Sequence, residues 1–178
     1  MLENKKILVI GAGIAGPTVC YYLKKFGFSP TLIESNDGLR KGGHAVDIRG
    51  IAVDIVKKMG IYKKICNMRT QLLHGCYVDA QGNTLVEEQG EKFCFRQDEE
   101  VEIVRDDLVE ILMNAIKDIP CYFKKNIVQI EQHDENVKVT FSDNTTEIYD
   151  LVIGSDGLHS ATRYMVFTKD EYSLIDFG

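Results

Sequence analysis

Four apolar residues in a row, Ile7-Leu8-Val9-Ile10, stand near the start of the chain, and three of them are β-branched. A continuous run of this kind predicts a strand buried on both faces, as in a parallel sheet. Beyond the cluster Gly11-Ala12-Gly13-Ile14-Ala15-Gly16 the spacing changes. Val19, Cys20 and Leu23 recur at helical intervals, and Lys24 and Lys25 precede Gly27, which is placed to end the helix. Pro30 opens a second strand, Thr31-Leu32-Ile33-Glu34, and completes a β-α-β unit. Residues 35–50 are rich in glycine and charge and predict a long loop. Ile51 to Met59 predicts a helix closed by Gly60, and residues 75–95 a hairpin turning on Asp79-Ala80-Gln81-Gly82-Asn83. Arg105-Asp106-Asp107 leads into a helix with Leu108, Ile111, Leu112 and Ala115 on one face and acidic residues in its first turn. From Cys121 to Ile153 the pattern is short strands and polar turns. Val137 to Phe141 alternates, Ser142-Asp143-Asn144 turns, and Leu151-Val152-Ile153 predicts another buried strand. Ser173-Leu174-Ile175-Asp176-Phe177-Gly178 reads as a strand just begun.

The first turn carries chemistry. Gly11-x-Gly13-x-x-Gly16 matches the dinucleotide-binding pattern: the first glycine permits the tight turn, the second close approach to a pyrophosphate, the third packing of helix on strand. The helix begins at Ile14 and Ala15, where backbone N–H groups and the helix dipole favour phosphate. Pro17 falls in the first helical turn, where its missing N–H costs little. Glu34 ends the second strand 18 residues beyond Gly16, near the spacing expected of a carboxylate on ribose hydroxyls. An acid there argues against a 2′-phosphate. These residues leave the choice between FAD and NAD open.

Composition narrows the partners. The net charge is −6 and no run of Lys and Arg breaks the acidic average, which argues against nucleic acid. Five scattered cysteines without a C-x-x-C pair make no disulfide framework and suit a reducing cytoplasm. The four histidines stand at no metal-ligand spacing, so no metal is expected. No stretch approaches membrane-spanning length. A soluble cytoplasmic protein is expected, with no inference about its oligomeric state.

The segment Gly154-Ser155-Asp156-Gly157-Leu158-His159-Ser160-Ala161-Thr162-Arg163 follows the last apolar run. It resembles the Asp-Gly motif of the class A flavin-dependent monooxygenases, the family with the para-hydroxybenzoate hydroxylase fold. Arg105 at a helix start resembles that family's arginine to the FAD phosphates, for which a guanidinium fork is suited. The loop from Arg40 and Lys41 through Gly42-Gly43-His44-Ala45-Val46-Asp47-Ile48-Arg49 resembles the segment that passes the flavin. There Asp47 stands at a FAD contact, and Arg40, Lys41 and Arg49 are placed to help phosphates or NADPH. Within the family the likeness runs to the tetracycline destructases, carried by residues 41–50, Gly60-Ile61-Tyr62, residues 65–71, Glu87-Glu88-Gln89-Gly90 and Phe95-Arg96-Gln97-Asp98.

The resemblance implies an α/β fold: a Rossmann-like FAD-binding β-α-β domain with a parallel sheet and an added antiparallel β-meander, truncated. It implies one FAD-binding domain over residues 1–178, with residues about 72–100 belonging to the start of a substrate domain. Its cofactor contacts fall on Gly11, Gly13, Ile14, Ala15, Gly16, Glu34, Arg40, Lys41, Asp47, Arg105, Asp156 and Gly157. The activity it implies is NAD(P)H-dependent insertion of one oxygen from O₂ into an aromatic or polycyclic small-molecule substrate, tetracycline among them, with FAD as cofactor and NADPH as reductant. An FAD-dependent reductase or dehydrogenase, a non-catalytic FAD-binding remnant and a plain NAD-dependent dehydrogenase are the alternatives. No catalytic residue is assigned. Family members are about twice this long and carry a second Gly-Asp motif in their later half, which has no counterpart here.

Overall fold

The computed structural model describes residues 5–71, 74–89 and 99–175. In chain order the elements are β1 (Lys6–Ile10), α1 (Ala15–Lys25), β2 (Ser29–Ile33), β3 (Ala45–Ile48), α2 (Ile51–Lys58), α3 (Tyr62–Asn67), β4 (His74–Val78) and β5 (Thr84–Gln89). They continue with β6 (Val101–Val104), α4 (Arg105–Ala115), β7 (Cys121–Tyr122), β8 (Ile127–Gln132), β9 (Val137–Phe141), β10 (Thr146–Tyr149), β11 (Leu151–Gly154) and α5 (Ala161–Val166). The chain divides into two compact units, Met1–Lys41 with Leu112–Gly178, and Gly42–Ile111.

The first unit is built on a parallel sheet in the order β11-β1-β2-β7. The apolar run near the chain start is β1, one of its two inner strands, and alternation sends successive residues to opposite faces. Ile7 and Val9 join Ala12, Cys20, Leu32, Ile116 and Ile119 in one core cluster. Leu8 joins Ile33 and the meander residues Val139, Phe141 and Tyr149 in another. Both faces are covered, which is why no polar residue interrupts the run; each such side chain contributes about 1.5–3 kcal/mol on burial. The meander β10-β9-β8 is antiparallel, as expected.

Two expectations for this unit are corrected. Leu151-Val152-Ile153 does form a strand, β11, but an outer one, and Leu151 is 48% exposed. Continuous apolar character signals capacity for burial, and among the described residues β11 has a partner only on its β1 side. Ser173, Leu174 and Ile175 are not a strand: they have no regular structure, and Ile175 lies exposed, with no strand among the described residues paired to it. Residues 176–178 fall outside the described residues.

The second unit holds the antiparallel pair β3–β6, helices α2 and α3, and the hairpin β4–β5. Ile48, Val53, Val56, Ile61, Ile65, Val101 and Ile103 are among its buried apolar residues. The hairpin turns where expected, because the Asp79 carboxylate accepts bonds from the backbone N–H groups of Gln81 (2.9 Å) and Asn83 (2.8 Å). Residues 90–98, which include the end of the expected hairpin and Phe95-Arg96-Gln97-Asp98, lie outside the described residues. The expected loop over 35–50 is also corrected: Ala45–Ile48 pairs with Val101–Val104, so a strand forms in a segment without strong local strand preference, held by its partner. Among the described residues no helix is long and apolar enough to cross a membrane.

Candidate cofactor site

At Gly11 and Gly16 the glycine turn is shaped by close contacts that leave no room for a side chain. Gly11 adopts φ +102°, a region L-residues rarely enter, and its N–H donates to Ile33 O at 2.8 Å. A Cβ on Gly11 would stand 2.7 Å from Ser155 O, and one on Gly16 would stand 2.0 Å from Gly11 O. Both are closer than nonbonded atoms approach. Gly13 lies between them in the chain and is half-buried, with Ile14 and Ala15 exposed beside it. No side chain caps the α1 N-terminus, and its first turn carries no acidic residue. A helix start of this kind offers backbone N–H groups and a partial positive charge to an anion, which fits the pyrophosphate of a dinucleotide.

Glu34 follows β2 directly and reaches back to the turn. One carboxylate oxygen accepts from Ala12 N (2.8 Å); the other accepts from Ser35 Oγ (3.0 Å), Asn36 N (3.0 Å) and Asn36 Nδ2 (2.8 Å). Burial raises the acid's pKa, but the bonds from the Asn36 and Ala12 backbones and the Ser35 and Asn36 side chains outweigh it, so the carboxyl lies below its usual range. Glu34 therefore ties the end of β2 to the glycine turn through Ala12.

Asp156 has a similar place in the second motif. Its carboxylate accepts from Ser160 Oγ (2.5 Å), Thr162 N (3.0 Å) and Thr162 Oγ1 (3.0 Å). Ser160 in turn caps α5 by accepting from Arg163 N at 2.9 Å. Burial pushes the Asp156 acid up, while these bonds pull it further down, below its usual range. Gly157 stands at φ +84° at the tip of the turn. A cleft of about 540 Å³ runs alongside, lined in part by Val152, Ile153, Asp156, Gly157 and Arg163.

A carboxylate whose pKa is depressed on folding stabilises the fold above its unfolded pKa, and that stability is lost as pH falls through the lower, folded value. The stability gap between the chain and its Asp156→Asn variant is therefore expected to be present in full at neutral pH. It should narrow below about pH 4, as followed by thermal unfolding across an acid series.

Ser155 was not among the residues expected from the sequence. Its hydroxyl donates to Ile10 O (2.7 Å) and lies 3.2 Å from Gly11 O, and its N–H donates to Ile10 O (2.8 Å). It fastens the second motif directly under the first. The signal available was a small polar residue immediately before Asp-Gly, which has no meaning until β11 is known to lie beside β1.

In the second unit, Asp47 and Arg105 lie close to opposite ends of the β3–β6 pair. Asp47 accepts from Arg49 Nη2 at 2.8 Å, and Arg49 Nε stands 4.0 Å from Glu100. Arg105 opens α4 with Asp106 3.7 Å from its guanidinium. Asp106, expected only as a first-turn acid, accepts from Gly42 N (2.7 Å) and Gly43 N (3.1 Å). Arg40 and Lys41 are both exposed in the first unit. The structure thus gathers Gly11 to Gly16, Glu34, Asp156 and Gly157 within one unit, and Asp47 with Arg105 within the other. Among the described residues no group of three or more His, Cys, Asp or Glu is placed to hold a metal ion.

Residues 4–171 match the FAD binding domain family. Over 178 residues the chain is 64% identical to a flavin-dependent monooxygenase of an unidentified prokaryote and 61% identical to one of Legionella longbeachae serogroup 1 (strain NSW150), covering all of this chain and 46% of each relative. It is also similar to the crystal structure of the tetracycline destructase Tet(51), at 60% identity and a TM-score of 0.82, over 94% of this chain and 42% of that one. The chain spans about half the length of the curated relatives it matches.

Proposed function

This chain belongs to the FAD binding domain family, and from that premise we propose that it is the FAD-binding portion of an NAD(P)H-dependent monooxygenase. The observation that carries the reading is the start of α1, free of any side-chain cap, behind a turn whose Gly11 and Gly16 have no room for a side chain. Gly11, Gly13, Ile14, Ala15 and Gly16 form the pyrophosphate cradle, and Glu34 takes the ribose hydroxyls while keeping the turn in shape. Arg105 pairs with a phosphate, and Asp47, Arg40 and Lys41 line the cofactor path. Asp156 acts by ordering the turn that presents Gly157. Bound FAD supplies the redox chemistry of oxygen insertion, with NADPH as reductant.

The substrate proposed is an aromatic or polycyclic small molecule, tetracycline first among them, since the similar structure is a tetracycline destructase. On that reading the protein acts in the cytoplasm in antibiotic resistance, and residues about 72–100 begin the substrate domain. The apolar hairpin side chains Leu85 (65% exposed) and Val86 (49%) suit a surface awaiting a covering layer.

Titration with FAD, followed by flavin fluorescence, tests the cofactor assignment. Saturable binding that Arg105→Ala weakens about tenfold is expected, on the scale of one charge-assisted phosphate contact. A folded chain that leaves flavin fluorescence unchanged at every concentration sinks the proposal.

A further inference from the structure

Three backbone atoms of residues 42–44 are tied to the start of α4. Gly42 N donates to Asp106 Oδ2 at 2.7 Å and Gly43 N to Asp106 Oδ1 at 3.1 Å, so each carboxylate oxygen takes one N–H. In return Arg105 N donates to His44 O at 3.0 Å. The approach is close: a Cβ on Gly43 would stand 2.6 Å from Asp106 Oδ1 and 2.7 Å from Arg105 Cβ. The β3–β6 ladder begins at the next residue, Ala45 opposite Val104, so the fastening continues directly into paired strands. Without Asp106, residues 42 and 43 would have neither side chains nor ladder bonds to define their course.

We propose that Asp106 is a positioning residue for the cofactor. It sets the path of Gly42-Gly43, and with it the segment leading to Asp47, against the helix start that carries Arg105. The inference rests on the FAD-binding reading above. A first-turn carboxylate also complements the helix dipole, but Asp107 does that equally without the paired N–H bonds that Asp106 takes from the glycine segment. Comparing the two acids therefore separates positioning from dipole.

The test uses the whole 178-residue chain in four forms: unchanged, Asp106→Ala, Asp106→Asn and Asp107→Ala. Flavin fluorescence gives the FAD dissociation constant, and amide hydrogen exchange reports on Gly42 and Gly43. Asp106→Ala is expected to raise the dissociation constant about tenfold, the scale of losing one or two charge-assisted bonds, and to expose both amides to exchange. Asp106→Asn retains the shape and one acceptor, so it should fall between, and it serves if the alanine variant does not fold. Asp107→Ala should match the unchanged chain in both readouts. Unchanged FAD affinity in both Asp106 variants overturns the inference while the FAD-binding reading stands. An equal loss in Asp107→Ala also overturns it, since the dipole alone would then account for the effect. Failure of the unchanged chain to bind FAD removes the reading and the inference together.

Discussion

Gly16→Ala is expected to unfold the glycine turn and abolish FAD binding, even though alanine is the residue that helices accept best. Gly16 is buried in α1, and its backbone is not in the left-handed region, so propensity alone would favour the change. Packing decides otherwise. The added methyl would stand 2.0 Å from Gly11 O and 3.0 Å from Ser155 Oγ, and the nearest atom is backbone that Ser155 and Ile33 hold in place. Relief requires α1 to move away from β1, at about 3 kcal/mol or more. Gly38→Ala is the control. Its Cβ meets open space and its φ is not positive, so the change should be neutral or stabilise by up to about 1 kcal/mol. Urea unfolding with FAD titration would separate the two. Equal stability and affinity in both variants would mean that the turn is softer than its contacts imply.

The second large effect lies in the core. Phe141→Ala should destabilise the first unit by about 3–5 kcal/mol. The ring is fully buried among Leu8, Ile33, Val139 and Tyr149, joining the meander to one face of the parallel sheet. The Lys125 ammonium lies 4.2 Å from the ring centroid, and its attraction to the π face would vanish with the ring. The change should reach the cofactor site, because Ile33 both packs in that cluster and accepts the Gly11 N–H. Phe26→Ala provides the comparison: Phe26 is 67% exposed and should cost no more than about 0.5 kcal/mol. A small loss in Phe141→Ala, measured by denaturant midpoint, would show that the meander contributes little to holding the sheet.

These contrasts mark what was legible in the sequence. The unit β1–turn–α1–β2 could be read directly because its signals are local: an apolar run, three glycines at fixed spacing, a helical period, an acid at the strand end. The parallel sheet followed from the same kind of pattern; over residues 121–153 the pattern showed only short strands and turns, and the antiparallel meander came from the family resemblance. What escaped depends on partners far along the chain. The strand Ala45–Ile48 is hidden in a segment of glycine and charge, and only Val101–Val104 makes it a strand. The bonds of Ser155 and of the first-turn acid Asp106 are not legible because their partners lie 144–145 and 63–64 residues away. Leu151-Val152-Ile153 misled in the other direction, since apolar content cannot tell an outer strand from an inner one. Glu34 follows β2 directly, as its place in the sequence implies, but its bond to Ala12 N is not readable there, because spacing fixes a position and not its bonds.

The clasp between Ser155 and the first turn also orders events in time. Ile10 and Gly11 are made early, yet the hydroxyl and backbone that pack against them belong to a segment more than 140 residues later. Closing so long a loop is slow compared with packing α1 against the neighbouring strands β1 and β2, which lie with it in one stretch of the chain, residues 6–33. During synthesis α1 can pack once β2 has emerged, but the glycine turn lacks its backing until β11 has been made and has docked beside β1. Capture of the cofactor is thus a late step in folding, and a nascent chain halted before Leu151 should contain α1 and still hold no FAD.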